Sequence, residues 1–295
     1  MKLEKMFKVL FIALLLGVNY CFATSWSSNT IEVNNHQLHY YEAGSGKAVY
    51  LLTGYATTSN FWSKPFVNCL AKDYKVVLVD YYGINSNIKN DSNSSIRAMA
   101  ADSFALSQAL KSKHPVFIGW SMGGAVAQQI AFDDADAEIK QVVLISPLTV
   151  DNQPTMPSDV DSSEIIAPLR TYNDILNYVF YNNLYDYSPK QLSYYKNNLF
   201  KPKDKLFPGG KVSANQSIAM NAWANDPNTL ENVKKSKVSF LFMVPLQDKI
   251  LLPNMTTAYS KKFMHAKLVE FDGSGHNIAM QAPEQVCKQI KQFID

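Results

Sequence analysis

Pro115-Val-Phe-Ile-Gly-Trp-Ser-Met-Gly-Gly124 is the stretch on which the reading of this chain turns. It opens with a short apolar run bounded by a proline, the pattern of a strand buried on both faces. It passes through Gly119-Trp120-Ser121-Met122-Gly123, which fits G-x-S-x-G, and leads into a segment from Gly123 to Asp133 that reads as a helix. A serine at such a strand-to-helix elbow sits on a strained turn with its hydroxyl exposed above the sheet, and glycines beside it let strand and helix approach closely. The competing reading is a glycine-rich turn with an unreactive serine. The strand before the motif and the helix after it favour a nucleophile at Ser121.

Working outward, Ala48–Leu52, Tyr74–Asp80 and Gln141–Ile145 are further buried-strand runs. Helical patterns fall between them, over Phe61–Asp73 and Ile96–Ser112, with a polar Asn/Ser-rich loop over Gly83–Ser95. Ile31–Val33 and Gln37–Glu42 read as short strands before a turn at Gly44–Gly46. Beyond the elbow, Val238–Val244 and Ala266–Phe271 are strands, a helix starts near Asn254, and a last helix covers Pro283–Phe293. Regular alternation of strand and helix is the signature of a mostly parallel sheet covered on both faces. The rhythm stops at Ser146-Pro147. Residues 148–223 carry Pro, Asn and many tyrosines but no buried-strand run, and are expected to form an inserted, helical lid. The core is then expected to comprise residues 24–147 and 224–295.

A serine hydroxyl is a weak nucleophile at neutral pH and needs a positioned base. His276, in Gly273-Ser-Gly-His-Asn after the last strand, stands where parallel sheets place their sites, beyond the carboxyl ends of strands. His36 and His39 lie in early strands and read as surface or packing residues. His114 is at the wrong end of its strand, and His265 ends a polar helix. The imidazole in turn needs a carboxylate to hold its tautomer. Asp248, in the loop after Val238–Val244, is the candidate. Asp226 reads as a cap or turn residue, and Asp272 as a brace for the histidine loop. Oxyanion donors are expected from the backbone N–H groups of Met122 and of Tyr55, the latter in Leu52-Thr-Gly-Tyr-Ala. No Cys/His/Asp cluster has metal-ligand spacing, so no metal site is expected.

The N-terminus is expected to be a signal peptide, residues 1–23. Lys2, Lys5 and Lys8 precede the apolar run Val9–Val18, and Cys21-Phe-Ala23 supplies small residues for cleavage. Ten apolar residues are too few to span a bilayer, which takes about 20, and Tyr20 is too large for a lipoprotein signal. An uncleaved anchor is the alternative. Removing three Lys and one Glu lowers the net charge from +3 to +1. With no clustered Lys/Arg, a nucleic-acid partner is not expected. No other segment is long and apolar enough to span a membrane, and a periplasmic or secreted location is expected.

Taken together, the elbow, the order Ser121, Asp248, His276 and the interrupting helical segment resemble the α/β-hydrolase superfamily, in its lid-bearing, esterase-like branch. The resemblance runs from about Ile31 to the end. The family usually carries His-Gly after its first central strand, where this chain has Thr53-Gly54. Asp80-Tyr-Tyr-Gly83 keeps half of a second family motif, but Asn85 and Asn87 replace its later Gly and Ser. The string Gly-Trp-Ser-Met-Gly-Gly is similar to that of pimeloyl carrier-protein methyl ester esterases, whose cytosolic role fits poorly with a signal peptide. Family members with an Asp nucleophile, haloalkane dehalogenases and epoxide hydrolases, are disfavoured by Ser121.

The resemblance implies hydrolysis of a small-molecule acyl ester without a cofactor. A pimeloyl-type or peptidase-like acyl hydrolase, or a non-catalytic binding protein on the same fold, are the alternatives. It also implies that the first and last helices pack on one face, which would bring Cys69 and Cys287 together as a disulfide; two buried thiols are the alternative. Aromatic lid residues (Tyr172, Tyr178, Phe180, Tyr181, Tyr185, Tyr187, Tyr194 and Tyr195) would pack the lid on the core or line an acyl pocket.

Overall fold

The computed structural model describes residues 24–84, 95–150, 176–177, 180, 183–185 and 188–295. The expected signal peptide, Asn85, Asn87 and four of the lid tyrosines (172, 178, 181 and 187) lie outside the described residues.

Eight strands form one sheet among the described residues: β1 (Ser27–Val33), β2 (His36–Ala43), β3 (Ala48–Leu52), β4 (Lys75–Asp80), β5 (Val116–Trp120), β6 (Gln141–Ile145), β7 (Ser239–Pro245) and β8 (Ala266–Phe271). Their order is β1-β2-β4-β3-β5-β6-β7-β8. From β4 to β8 every pairing is parallel, while β1 and β2 add an antiparallel edge. That edge turns at Asn34 and Asn35, at φ 50° and 62°. Asparagine is among the few side chains that tolerate this left-handed backbone, and two such residues in a row match the twist of a tight hairpin.

The central strands read as continuous apolar runs because side chains alternate between two buried faces. In β3, Ala48, Tyr50 and Leu52 enter one core, and Val49 and Leu51 enter the other. The first core is covered by α2 (Ile96–Ala109), α3 (Met122–Asp133), α5 (Gly210–Ala224), α6 (Pro227–Lys235) and α7 (Pro253–Ser260). The second is covered by α1 (Lys64–Leu70), the short α8 (Ile278–Gln281) and α9 (Pro283–Ile294). Truncating a central leucine such as Leu51, fully buried, would cost about 2–5 kcal/mol.

Cys69 on α1 and Cys287 on α9 form a disulfide, with Cα atoms 6.3 Å apart and 218 residues between them in sequence. No helix of the described residues is long and apolar enough to cross a membrane.

Two elements differ from the sequence reading. The helix expected over Phe61–Asp73 splits into a 3-10 turn, Ser59–Phe61, and α1. Pro65 explains the break, since a residue without N–H fits only the first turn of a helix, and Trp62 and Ser63 before it are extended. Helix α6 follows the insertion over a stretch not read as helical, although Asp226 reads as a cap or turn residue; Asp226 caps it by accepting the Asn228 N–H at 2.9 Å.

The insertion contributes α4 (Pro189–Asn197) and α5. It is stitched to the chain after β3: Lys64 N–H donates to Asn198 O (2.7 Å), Phe200 N–H to Trp62 O (2.7 Å) and Thr58 N–H to Leu206 O (2.9 Å). These bonds fix the insertion against the carboxyl end of the central strands, where the candidate site lies.

Candidate active site

Ser121 stands between β5 and α3 with φ 55° and ψ −121°. A non-glycine residue held there is strained, and strain of this kind persists only where the surroundings impose it. Here they do. Its N–H donates to Ile145 O (3.0 Å), and its carbonyl accepts from Gly124 N–H (2.8 Å) and Leu148 N–H (2.9 Å). The flanking glycines are sterically required. A Cβ on Gly119 would lie 2.1 Å from Gly123 O, and one on Gly123 would lie 2.1 Å from Leu52 O.

Met122 is the first residue of α3, so its N–H has no partner within the helix and points out of the positive end of the helix dipole. Thr53–Thr57 arches over the same point. A Cβ on Gly54 would come 3.3 Å from the Ser121 Cβ and 3.1 Å from the Trp120 ring. The arch is braced through its carbonyls: Tyr81 donates to Thr53 O (3.0 Å) and Thr57 Oγ1 to Gly54 O (3.0 Å), while the two threonine hydroxyls meet at 2.5 Å. Burial, with the Asp80 charge second, pushes the Tyr81 phenol well above its ordinary pKa, so it remains a proton donor at any ordinary pH. Two of the loop's carbonyls, those of Thr53 and Gly54, are thereby occupied by hydroxyl donors.

His276 and Asp248 form a buried pair, with Nδ1 2.8 Å from Oδ2. Asp248 Oδ1 accepts from the N–H groups of Ile250 (2.8 Å) and Leu251 (3.0 Å), which anchors the carboxylate independently of the histidine. Nδ1–H donation to Asp248 leaves Nε2 as the basic nitrogen. This imidazole's side-chain hydrogen bond among the described residues is the one to Asp248. Ser121 connects to the histidine loop through its neighbour: Trp120 Nε1 donates to His276 O (3.1 Å), and the two rings lie 5.7 Å apart. The loops of Asp248 and His276 are laced by Gln247, which donates N–H to Ser274 O (3.1 Å), accepts Ser274 N–H (3.0 Å) and donates Nε2 to Asp272 (2.8 Å). Asp272 is thereby a loop brace.

The insertion reaches this loop too. Asn277 N–H donates to Asn183 O (3.0 Å), and a Cβ on Gly275 would lie 2.7 Å from Tyr185 N. Phe61, Trp120 and Phe180 form an aromatic shelf beside the nucleophile, with Phe61 5.9 Å from Trp120 and 5.7 Å from Phe180. Of the described lid aromatics, Phe180 and Tyr195 are buried, while Tyr185 and Tyr194 are exposed.

Of the two readings open for His36 and His39, surface or packing, the structure bears out packing, with each ring tied to a buried carboxylate. His36 Nδ1 lies 2.6 Å from Asp102, and its ring stacks on Tyr82 at 4.2 Å. His39 Nδ1 lies 2.8 Å from the buried Asp80, and its Nε2 lies 2.9 Å from Ser28 Oγ. Ser28, His39 and Asp80 thus form a Ser-His-Asp chain of hydrogen bonds. Asp80 Oδ1 also accepts Ser59 N–H at 2.7 Å, so this chain ties β1 and β2 to the 3-10 turn. Ser28 lies in an edge strand, and the elbow and helix N-terminus present at Ser121 have no counterpart there. No spacing in the sequence signals this chain, because its members meet only through the β1–β2–β4 pairing.

Among the described residues, no group of three or more His, Cys, Asp or Glu is arranged to hold a metal ion.

Comparison with known proteins gives three results. A family model described as alpha/beta hydrolase fold matches residues 47–283. A fluoroacetate dehalogenase from Burkholderia sp is 29% identical over 119 residues, 39% of this chain and 39% of that protein. The chain spans about two fifths of the length of the curated relatives it matches. Among solved structures, an alpha/beta hydrolase fold protein from Chitinophaga pinensis superposes with TM-score 0.75 at 18% identity, covering 92% of this chain and 98% of that one. An esterase from Exiguobacterium antarcticum does so with TM-score 0.70 at 19% identity, covering 91% and 99%.

Proposed function

The chain belongs to the α/β-hydrolase fold family, and on that premise we propose that it is a serine hydrolase cleaving carboxylic esters through an acyl-enzyme on Ser121. The observation that supports this reading is the strained Ser121 at the start of α3, whose neighbour Trp120 is hydrogen-bonded to His276 of a buried His276–Asp248 pair.

In the proposed mechanism, Ser121 Oγ attacks the ester carbonyl while His276 Nε2 takes its proton. The negative charge that develops on the carbonyl oxygen is held by the N–H groups of Met122 and Tyr55, each such donor being worth about 10²–10³ in rate. Asp248 keeps His276 in the required tautomer and stabilises the imidazolium. His276 then gives its proton to the leaving alcohol. Water enters, loses a proton to the same nitrogen and attacks the acyl-enzyme, and the acid departs as Ser121 recovers its proton. Catalytic hydrogen bonds of this kind tighten when substrate fills the site. An ester suits this machinery because its carbonyl is more electrophilic than an amide's and its alkoxide is the better leaving group, so one proton from His276 completes its departure. Serine at position 121 argues against the aspartyl-ester chemistry of the Asp-nucleophile members of the family.

We further propose that the chain is exported. Residues 1–23 have signal-peptide character, and the Cys69–Cys287 disulfide suits an oxidising compartment.

The test is fluorophosphonate labelling of the chain purified without residues 1–23, beside Ser121→Ala, with hydrolysis of p-nitrophenyl esters of increasing length. Labelling and turnover in the parent, both lost in Ser121→Ala, are expected. A folded parent that neither labels nor turns over would sink the proposal in favour of a binding protein.

A further inference from the structure

Gln216 is buried on α5, a helix of the insertion, and its Oε1 accepts the Ala56 N–H at 2.9 Å. Ala56 follows Tyr55 in the arch above Ser121 and is itself held at φ 51°. The insertion therefore fastens this arch from above, as Tyr81 does from below. A backbone N–H needs an acceptor, so this contact also fixes which end of the carboxamide is oxygen and which is nitrogen. The nitrogen, Nε2, is buried and has no hydrogen-bond partner among the described residues.

A buried NH₂ without an acceptor is unfavourable, and a native structure that keeps one calls for a reason. Its surroundings supply one. Among the described residues, six of the seven buried side-chain polar atoms without a hydrogen-bond partner lie at this end of the sheet, and the seventh, Glu42 Oε2, is ion-paired with Lys75. Besides Gln216 Nε2 the six are Ser59 Oγ, Asn60 Oδ1 and Trp62 Nε1 after the arch, and Ser146 Oγ and Thr149 Oγ1 in the turn whose Leu148 N–H holds the Ser121 carbonyl. An apolar acyl chain would offer Gln216 Nε2 no acceptor.

Resting on the serine-hydrolase reading above, we propose that Gln216 is a specificity residue: its Nε2 donates to an acceptor oxygen that the acyl group carries beyond its scissile carbonyl. The substrate class is then esters of hydroxy, alkoxy, oxo or dicarboxylic acids rather than of plain alkanoic acids. Selection follows from pairing. A polar-substituted acyl group satisfies Nε2, and an alkanoyl group of the same length leaves it buried and unsatisfied.

The experiment compares p-nitrophenyl 3-methoxypropanoate with p-nitrophenyl pentanoate, two esters of equal length and leaving group. Each kcat/KM is divided by that ester's rate with hydroxide, which removes the difference in intrinsic reactivity. In the parent, the methoxy ester is expected to be preferred by about tenfold or more. In Gln216→Met the preference falls to about one, and kcat drops for both esters as Ala56 N–H loses its acceptor. Gln216→Glu keeps an oxygen for Ala56 but has no donor in its ionised form, so it loses or inverts the preference; thermal unfolding verifies that it is folded. A purely structural Gln216 would lower both rates together and leave their ratio unchanged. A parent that turns over both esters with a ratio near one, or a ratio that survives both substitutions, overturns the inference alone. A parent with no turnover and no labelling at Ser121 overturns the hydrolase reading and this inference with it.

Discussion

Asp248→Asn is the sharpest perturbation of the proposed triad, because the structure dictates which way the new amide must face. Oδ1 of Asp248 takes two backbone N–H groups, from Ile250 and Leu251, at 2.8 and 3.0 Å; Oδ2 takes Nδ1 of His276 at 2.8 Å. Asparagine has one oxygen. Turning its NH₂ toward the loop would leave buried donors facing a donor, at about 1–3 kcal/mol for each unsatisfied group. The oxygen therefore stays with the loop, and the NH₂ faces His276. The imidazole must then present a lone pair at Nδ1 and carry its proton on Nε2, the tautomer that cannot take a proton from Ser121. The imidazolium also loses its carboxylate. An orienting Asp replaced in this way lowers kcat by about 10⁴, close to 5 kcal/mol at 1.36 kcal/mol per decade. All three hydrogen bonds survive in the variant, so thermal unfolding should be nearly unchanged. The assay is kcat for a p-nitrophenyl ester alongside a melting curve, with Asp272→Asn as comparison. A kcat within about tenfold of the parent in a folded Asp248→Asn protein, or a larger loss in Asp272→Asn, would refute the reasoning.

Three further outcomes are expected. Ser28→Ala should leave fluorophosphonate labelling and turnover intact, since Ser28 has a base in His39 but no elbow amide or helix N-terminus; mass mapping that finds the label on Ser28 would contradict this. Replacing Cys69 and Cys287 by serine releases a closure of 218 residues and should cost about 3–5 kcal/mol, read as a lower urea midpoint; a parent in which both thiols react without prior reduction would contradict it. Tyr50 is fully buried and hydrogen-bonded to Ser112 Oγ, and burial raises its pKa to about 12. Its folded pKa lies above its unfolded one, so the stabilisation is complete below pH 10 and is lost as pH rises toward 12. Tyr50→Phe should flatten that decline by up to roughly 1.4 kcal/mol per pH unit, measured as urea stability between pH 9.5 and 11.5; identical slopes in the two proteins would contradict it.

What the sequence alone determined was local. The fold class was legible, and Ser121 stood out as the candidate nucleophile, because strand, elbow and helix occupy one continuous stretch, and Gly119 and Gly123 are demanded by contacts within it or with the adjoining β3. The buried strands announced themselves because both faces of the sheet are covered, which leaves no polar alternation to confuse with a helix. His276 followed from its place after the last strand. Tertiary structure decided everything that depends on residues distant in the chain. Asp226, Asp248 and Asp272 are alike in sequence, and their partners separate them: a helix N-terminus for the first, His276 for the second, Gln247 for the third. The Cys69–Cys287 bond, implied by the family resemblance, required α1 and α9 to lie side by side. The Ser28-His39-Asp80 chain required the pairing of β1, β2 and β4 in one register. Gln216 carried no signal at all in a helix of polar and apolar residues mixed without a strong stripe. Its meaning arises only where α5 brings its side chain to Ala56, 160 residues away. A hydrogen bond has a range of about 3 Å, and nothing in a one-dimensional pattern says which polar groups folding will bring within it.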